Sequence, residues 1–167
     1  TIAAKFMEIV EEVRLPAGVV NYISGSAKTG EAMVTHPKTR FISFTGAKGV
    51  GLHINEEAAK TRPGQIWIKR VVAEMGGKDA IVVADDADLD AAASGAVSAA
   101  FGFQGQKCSA CSRLIVDERV HDELMAKVVE LTNKLIQGQP DDASTNVAAV
   151  INKRSFDTTM KYIAKGI

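Results

Sequence analysis

The chain has 167 residues, 46% of them hydrophobic and 24% charged, which is enough apolar material for one domain or parts of two. Twenty basic and twenty acidic side chains cancel, so no net field recruits nucleic acid or an anionic membrane surface. No apolar run reaches the length of a membrane span, residues 1–15 lack the plan of a secretory signal, and two cysteines three apart make no disulfide framework, so a cytoplasmic, reducing setting is expected.

Ile2, Phe6, Ile9, Val10 and Val13 recur on one helical face from the start of the chain. Leu15-Pro16-Ala17-Gly18 stops that helix, because proline lacks an amide donor and restricts its predecessor. Residues 19–23 read as a short strand, 29–34 as a short helix broken by His36-Pro37, and 41–44 as a buried strand. Val50, Ile54 and Ala58 mark a helix that begins near Ala47. Residues 67–72 and 80–84 are two further strands, rich in β-branched side chains. After Asp85-Asp86-Ala87-Asp88, the residues Leu89, Ala93, Ala96, Val97, Ala100 and Phe101 recur at helical spacing, with acids placed to cap the helix start. The small residues of that helix predict close packing against another backbone. Residues 102–109 read as a loop, 113–116 as a strand, and Val120, Leu124, Val128, Leu131 and Leu135 as one face of a long helix. Residues 160–166 read as a last helix running into glycine. Both ends of the chain are expected to be cut rather than finished. Strand and helix alternate, the pattern of an α/β fold with a parallel sheet.

Three segments could carry chemistry. In Phe41-Ile42-Ser43-Phe44-Thr45-Gly46-Ala47-Lys48-Gly49-Val50-Gly51 a strand turns through small residues into a helix, whose free amides suit an anion such as a nucleotide phosphate. Neither standard nucleotide motif is present, and a tight structural turn is the plain alternative. Cys108 follows Lys107 on a Gly-bearing loop, a setting that favours the nucleophilic thiolate, against the alternative of an inert cysteine. Cys108-x-x-Cys111 also permits a redox pair or half a metal site, but a strand follows rather than a helix, and His36, His53 and His121 lack metal-ligand spacing, so no metal is expected. Glu74 ends an apolar strand before Gly76-Gly77, where ligands collect in open α/β sheets, or else it is simply solvated.

Read together, Phe44-Thr45-Gly46, then Glu74-Met75-Gly76-Gly77-Lys78, then Gly105-Gln106-Lys107-Cys108 resemble the ordered motifs of the aldehyde dehydrogenase superfamily. The resemblance covers essentially the whole chain. Residues 63–70 and 100–113 are most similar to the 1-pyrroline-5-carboxylate dehydrogenases, which oxidise glutamate semialdehyde to glutamate in proline breakdown. The resemblance implies part of a Rossmann-like cofactor domain over residues 1–75, followed by part of an α/β catalytic domain over residues 76–167. It implies NAD, or NADP, as cofactor, a small aldehyde as substrate, and a homo-oligomeric parent. By the same resemblance Cys108 is the nucleophile that forms a thioester, with its backbone amide helping to hold the oxyanion, and Glu74 is the general base that activates water. Thr45 and Met75 with Gly76 would neighbour the nicotinamide, Gly46 and Ala47 the pyrophosphate, and Val50 the adenine side. Ser109 would hold the substrate carboxylate. Ala47 departs from the family pattern by replacing a serine. The segment alone is expected to be inactive; the rival expectations are a non-catalytic packing piece and a cofactor-independent Cys–Glu esterase.

Overall fold

Two parallel strand pairs organise the chain: β1 (Phe41–Thr45) with β2 (Arg70–Glu74), and β3 (Asp79–Val83) with β4 (Cys111–Val116). They belong to two compact units, Thr1–Glu74 and Met75–Ile167, in a computed structural model that describes residues 2–166. In each unit a helix joins the paired strands, which is the connection a parallel pair requires.

In the first unit α1 (Ile2–Glu12) is followed by α2 (Ala27–Thr35), then β1, α3 (Lys48–Ala59) and β2. Ser26 caps α2, its hydroxyl accepting from the Lys28 N–H. Val34, Ile54 and Ala58 are buried where α2 and α3 meet the strands. Lys69 is buried too, and its Nζ donates to Val34 O at 2.6 Å. A cation suits the negative end of α2, although burial, and to a lesser degree the nearby Arg62 charge, pulls the ammonium pKa down. The Trp67 indole Nε1 donates to Thr39 O at 3.1 Å, fixing the approach to β2.

Three expectations for this unit fail. Residues 19–23 form no strand, because β-branched residues give only a propensity and no strand among the described residues pairs with them. The strand at 41–44 is present but not buried: its residues alternate between exposed and half-buried, with Phe41 and Ser43 on the open face. The strand expected from residue 67 begins only at Arg70, where the register with β1 starts; the Trp67 carbonyl is taken up locally, accepting from Gln65 Nε2 at 2.8 Å.

In the second unit β3 leads to α4 (Leu89–Phe101), β4, α5 (His121–Asn133) and α6 (Lys153–Gly166). Asp88 caps α4, one carboxylate oxygen accepting from Asp90 N and Ala91 N at 3.0 Å each. Leu124 and Ala93 are both 0% exposed and meet Val83 in a core that Ile81, Leu89, Leu114, Val116 and Val128 surround. Ala93, Ala96 and Val97 form the buried face of α4, so the small residues do allow the close approach that their pattern predicts. The expected loop at 102–109 instead opens with a short 3-10 turn, Gly102–Gly105, that contains left-handed backbone.

Candidate active site

In the first unit the turn after β1 and the end of β2 lie side by side. Thr45 is the register partner of Glu74, and the Gly46 N–H donates to Glu74 O at 3.0 Å, extending the ladder one step beyond the strands. Thr45 and Glu74 are both exposed, each at the carboxyl end of its strand. That is the end at which open α/β sheets gather ligands.

Ala47 stands at the N-cap of α3 with extended backbone and makes no side-chain cap bond. Alanine has no acceptor to offer, so the first amides of α3 keep their donors free for an anion. Gly46 lies beside them, and a Cβ there would displace the tip of the Phe44 ring, 2.6 Å away. Val50, one turn into α3, is exposed and lines an open cavity of about 1050 Å³ between α2, β1 and α3. Met33, Phe44 and Ile54 line its apolar part. Glu31 of α2 and His53 of α3, absent from the sequence-based site, also line it and join at 2.8 Å. This hydrogen bond, and then the Glu31 charge, raise the His53 pKa above its ordinary value.

In the second unit Met75 and Gly76 open the segment between β2 and β3, Met75 half-buried and Gly76 exposed. Gly77 has a role that the sequence motif does not reveal by itself. A Cβ on Gly77 would lie 2.7 Å from Cys108 O, so the Gly-Gly doublet admits the backbone of the cysteine loop. Cys108 and Ser109 are the central residues of a turn closed by the Ala110 N–H donating to Lys107 O at 3.3 Å. Both are exposed, and Cys108 is a free thiol. No hydrogen bond within the described residues uses the Cys108 N–H. Cys111, the second free cysteine, is half-buried at the start of β4, and its Sγ donates to Arg113 O at 3.2 Å. Among the described residues no cluster of His, Cys, Asp or Glu is arranged to hold a metal, and no helix is long and apolar enough to cross a membrane.

Two parallel strand–helix–strand units of this kind define an α/β chain with parallel strand pairing. The crystal structure of 1-pyrroline-5-carboxylate dehydrogenase from Thermus with bound NAD is similar with a TM-score of 0.91 and 42% identity, covering 96% of this chain and 31% of that one. The model of the aldehyde dehydrogenase family matches residues 1–167, and the chain belongs to that family. Its curated relatives include the 1-pyrroline-5-carboxylate dehydrogenases of Bacillus cytotoxicus, 56% identical, and of Geobacillus sp. (strain WCH70), 57% identical. Each match spans 166 residues, which are 99% of this chain and 32% of the relative, so the chain spans about a third of the length of the relatives it matches.

Proposed function

We propose that this chain is the nucleophile-bearing part of an NAD-dependent aldehyde dehydrogenase that oxidises glutamate semialdehyde, the open form of 1-pyrroline-5-carboxylate, to glutamate. The first unit acts as the latter part of the cofactor domain and the second as the opening of the catalytic domain, in a reducing cytoplasm that keeps Cys108 a thiol. The observation that carries the reading is the exposed, turn-borne thiol of Cys108 in a chain of this family. The relatives named as 1-pyrroline-5-carboxylate dehydrogenases support the substrate, and the NAD-bound neighbour supports the cofactor.

The residues present fit a dinucleotide. The uncapped start of α3 offers amides to the pyrophosphate, with Gly46 next to them just past the end of β1. Val50 borders the adenine, while Thr45, Met75 and Gly76 border the nicotinamide. The Cys108 thiolate adds to the aldehyde carbon, and the oxygen that gains charge is held by the unused Cys108 N–H. NAD, when bound, supplies the acceptor for the hydride that leaves this carbon. Cys108 then carries the acyl group as a thioester. Glu74 takes a proton from water, the hydroxide adds to the thioester carbonyl, and the C–S bond breaks to release the carboxylate and the thiolate. Ser109 donates to the far carboxylate of the substrate.

The experiment is NAD reduction with glutamate semialdehyde, compared across wild type, Cys108→Ala and Glu74→Gln. Cys108→Ala abolishes turnover and labelling by an aldehyde-mimicking electrophile. Glu74→Gln keeps a single burst of NADH and accumulates the acyl-enzyme, seen as added mass on the peptide containing Cys108. Because the segment alone is expected to be inactive, the adverse result is a double one: wild-type protein with neither thiol-dependent NADH nor labelling of Cys108 by the electrophile would sink the proposal and leave a packing piece.

A further inference from the structure

Backbone strain is concentrated on the approach to Cys108. Phe103 (φ 55°), Gln104 (φ 56°) and Gly105 (φ 67°) sit consecutively in the left-handed region. Glycine adopts it freely, whereas the Cβ of Phe and Gln is crowded there. Gly105 itself is irreplaceable on steric grounds, since a Cβ would lie 2.8 Å from Ala100 O. A strained turn persists only where its surroundings hold it.

What holds it is the side chain of Gln104. Its amide lies against the backbone of Ala148: turned with its oxygen toward Ala148 it accepts from that N–H at 2.9 Å and its nitrogen donates to Phe103 O at 3.1 Å, in exchange for the single bond that its oxygen accepts from Gln106 Nε2 at 3.0 Å in the opposite orientation. Ala148 is a firm anchor. The N–H groups of Asn146 and Val147 donate to Ile136 O at 2.9 and 3.1 Å, Gly138 N–H donates to Val147 O at 3.2 Å, and Asn146 Oδ1 accepts from Ile136 N at 2.8 Å. Ile136 follows closely on α5, which packs against α4. On its far side the loop ends against Gly77, where Cys108 O leaves no room for a Cβ. The stretch 103–108 is therefore pinned at two points, Ala148 and Gly77.

We propose that Gln104 is a positioning residue: by tying the left-handed turn to Ala148, it fixes the backbone that presents the Cys108 thiol. The inference rests on the reading of Cys108 as the nucleophile. Gln104 makes no hydrogen bond to the Cys108 sulfur and acts through the loop.

The test is alkylation of the full chain by iodoacetamide in a Cys111→Ser background, so that one thiol reports, from about pH 6 to about pH 10, spanning the ordinary thiol range. The alkaline plateau measures how well the thiolate is presented, free of any change in its pKa. Gln104→Leu lowers this plateau about fivefold, the factor of one hydrogen bond, and speeds amide exchange at Ala148. Gln104→Gly relieves the strain, so it folds even if Gln104→Leu does not, yet it lowers the plateau as well because the tie is gone. Gln104→Glu keeps an acceptor for Ala148 but loses the donor to Phe103 O, so its plateau falls between those of the wild type and Gln104→Leu. A plateau unchanged or raised in Gln104→Gly overturns the proposal. Absence of both Cys108-dependent turnover and electrophile labelling of Cys108 in the wild type is a separate result, which sinks the nucleophile reading and not the alkylation comparison.

Discussion

The two units begin their main helices in opposite ways. In the second unit α4 is closed off by its own sequence: Asp88 fills two of the amides at its start, and the helix buries Ala93 against Leu124 and Val83. In the first unit α3 starts at Ala47, which fills none, and faces an open cavity with Val50 half exposed. Both helices follow a parallel strand through a tight turn, so local geometry does not separate them. The distinction is one of satisfaction. A helix start that meets its own hydrogen-bonding needs is part of the scaffold, and one that leaves them unmet beside a cavity is a place for a ligand.

The contrast sharpens most at the core. Leu124 is wholly buried, and Leu124→Ala is expected to cost about 3 kcal/mol, the usual range for a buried leucine that leaves a cavity. Ile54, the corresponding anchor of α3, retains 8% exposure beside the open cavity. Its replacement by Ala leaves a space continuous with solvent and costs clearly less. Urea unfolding of the two variants measures both, and equal losses would mean that the first unit is as closed as the second.

Next in size is an attempt to convert one helix start into the other. Ala47→Asp gives α3 the cap that α4 already has, so the free protein is expected to gain about 1 kcal/mol. The same carboxylate sits where the proposed pyrophosphate binds, and NAD affinity falls at least about tenfold by repulsion and loss of free amides. Calorimetric titration reads the affinity and thermal melting the stability. A stabilised variant with unchanged affinity would remove the α3 start from the cofactor site.

The sequence carried the second unit further than the first, for a physical reason. Asp88 and the Leu89–Ala93–Ala96–Val97 spacing describe contacts made within a few turns of chain, and they appear in the structure as the pattern implies. Residues 19–23 have comparable strand propensity but depend on a neighbour that the described residues do not supply. The site divides likewise. The motif residues Glu74, Gly76 and Cys108 stand out by type and spacing, and the Gly77 and Gln104 contacts do not, because each is a meeting of segments tens of residues apart. The left-handed Phe103 and Gln104 are invisible to pattern reading, which expects glycine there.

Asp88→Ala is the converse of the Ala47 experiment and has a smaller reach. It removes the acceptor for Asp90 N and Ala91 N and is expected to destabilise the protein by about 1 kcal/mol. NAD affinity stays at the wild-type value, because α4 starts on its own cap and not on a ligand. A loss of affinity comparable to that of Ala47→Asp would erase the distinction between the two helix starts.

The smallest effect is electrostatic and belongs to the open unit. His53 and Glu31 tie α3 to α2 at the cavity through a contact that is 51% and 44% exposed. Hydrogen bonding to Glu31, then its charge, with smaller contributions from Glu57 and Glu56, holds the His53 pKa above its usual value. A raised folded-state pKa means that the folded protein binds the proton more tightly than the unfolded chain. The tie therefore contributes fully below about pH 6.5, the unfolded value. It fades as pH rises through the higher folded value. Because both groups face solvent, added salt shrinks the effect. In Glu31→Gln the His53 titration, followed by its imidazole proton resonance, is expected to move down toward the ordinary value. A midpoint that stays where it was would show that α2 and α3 are not coupled through this pair.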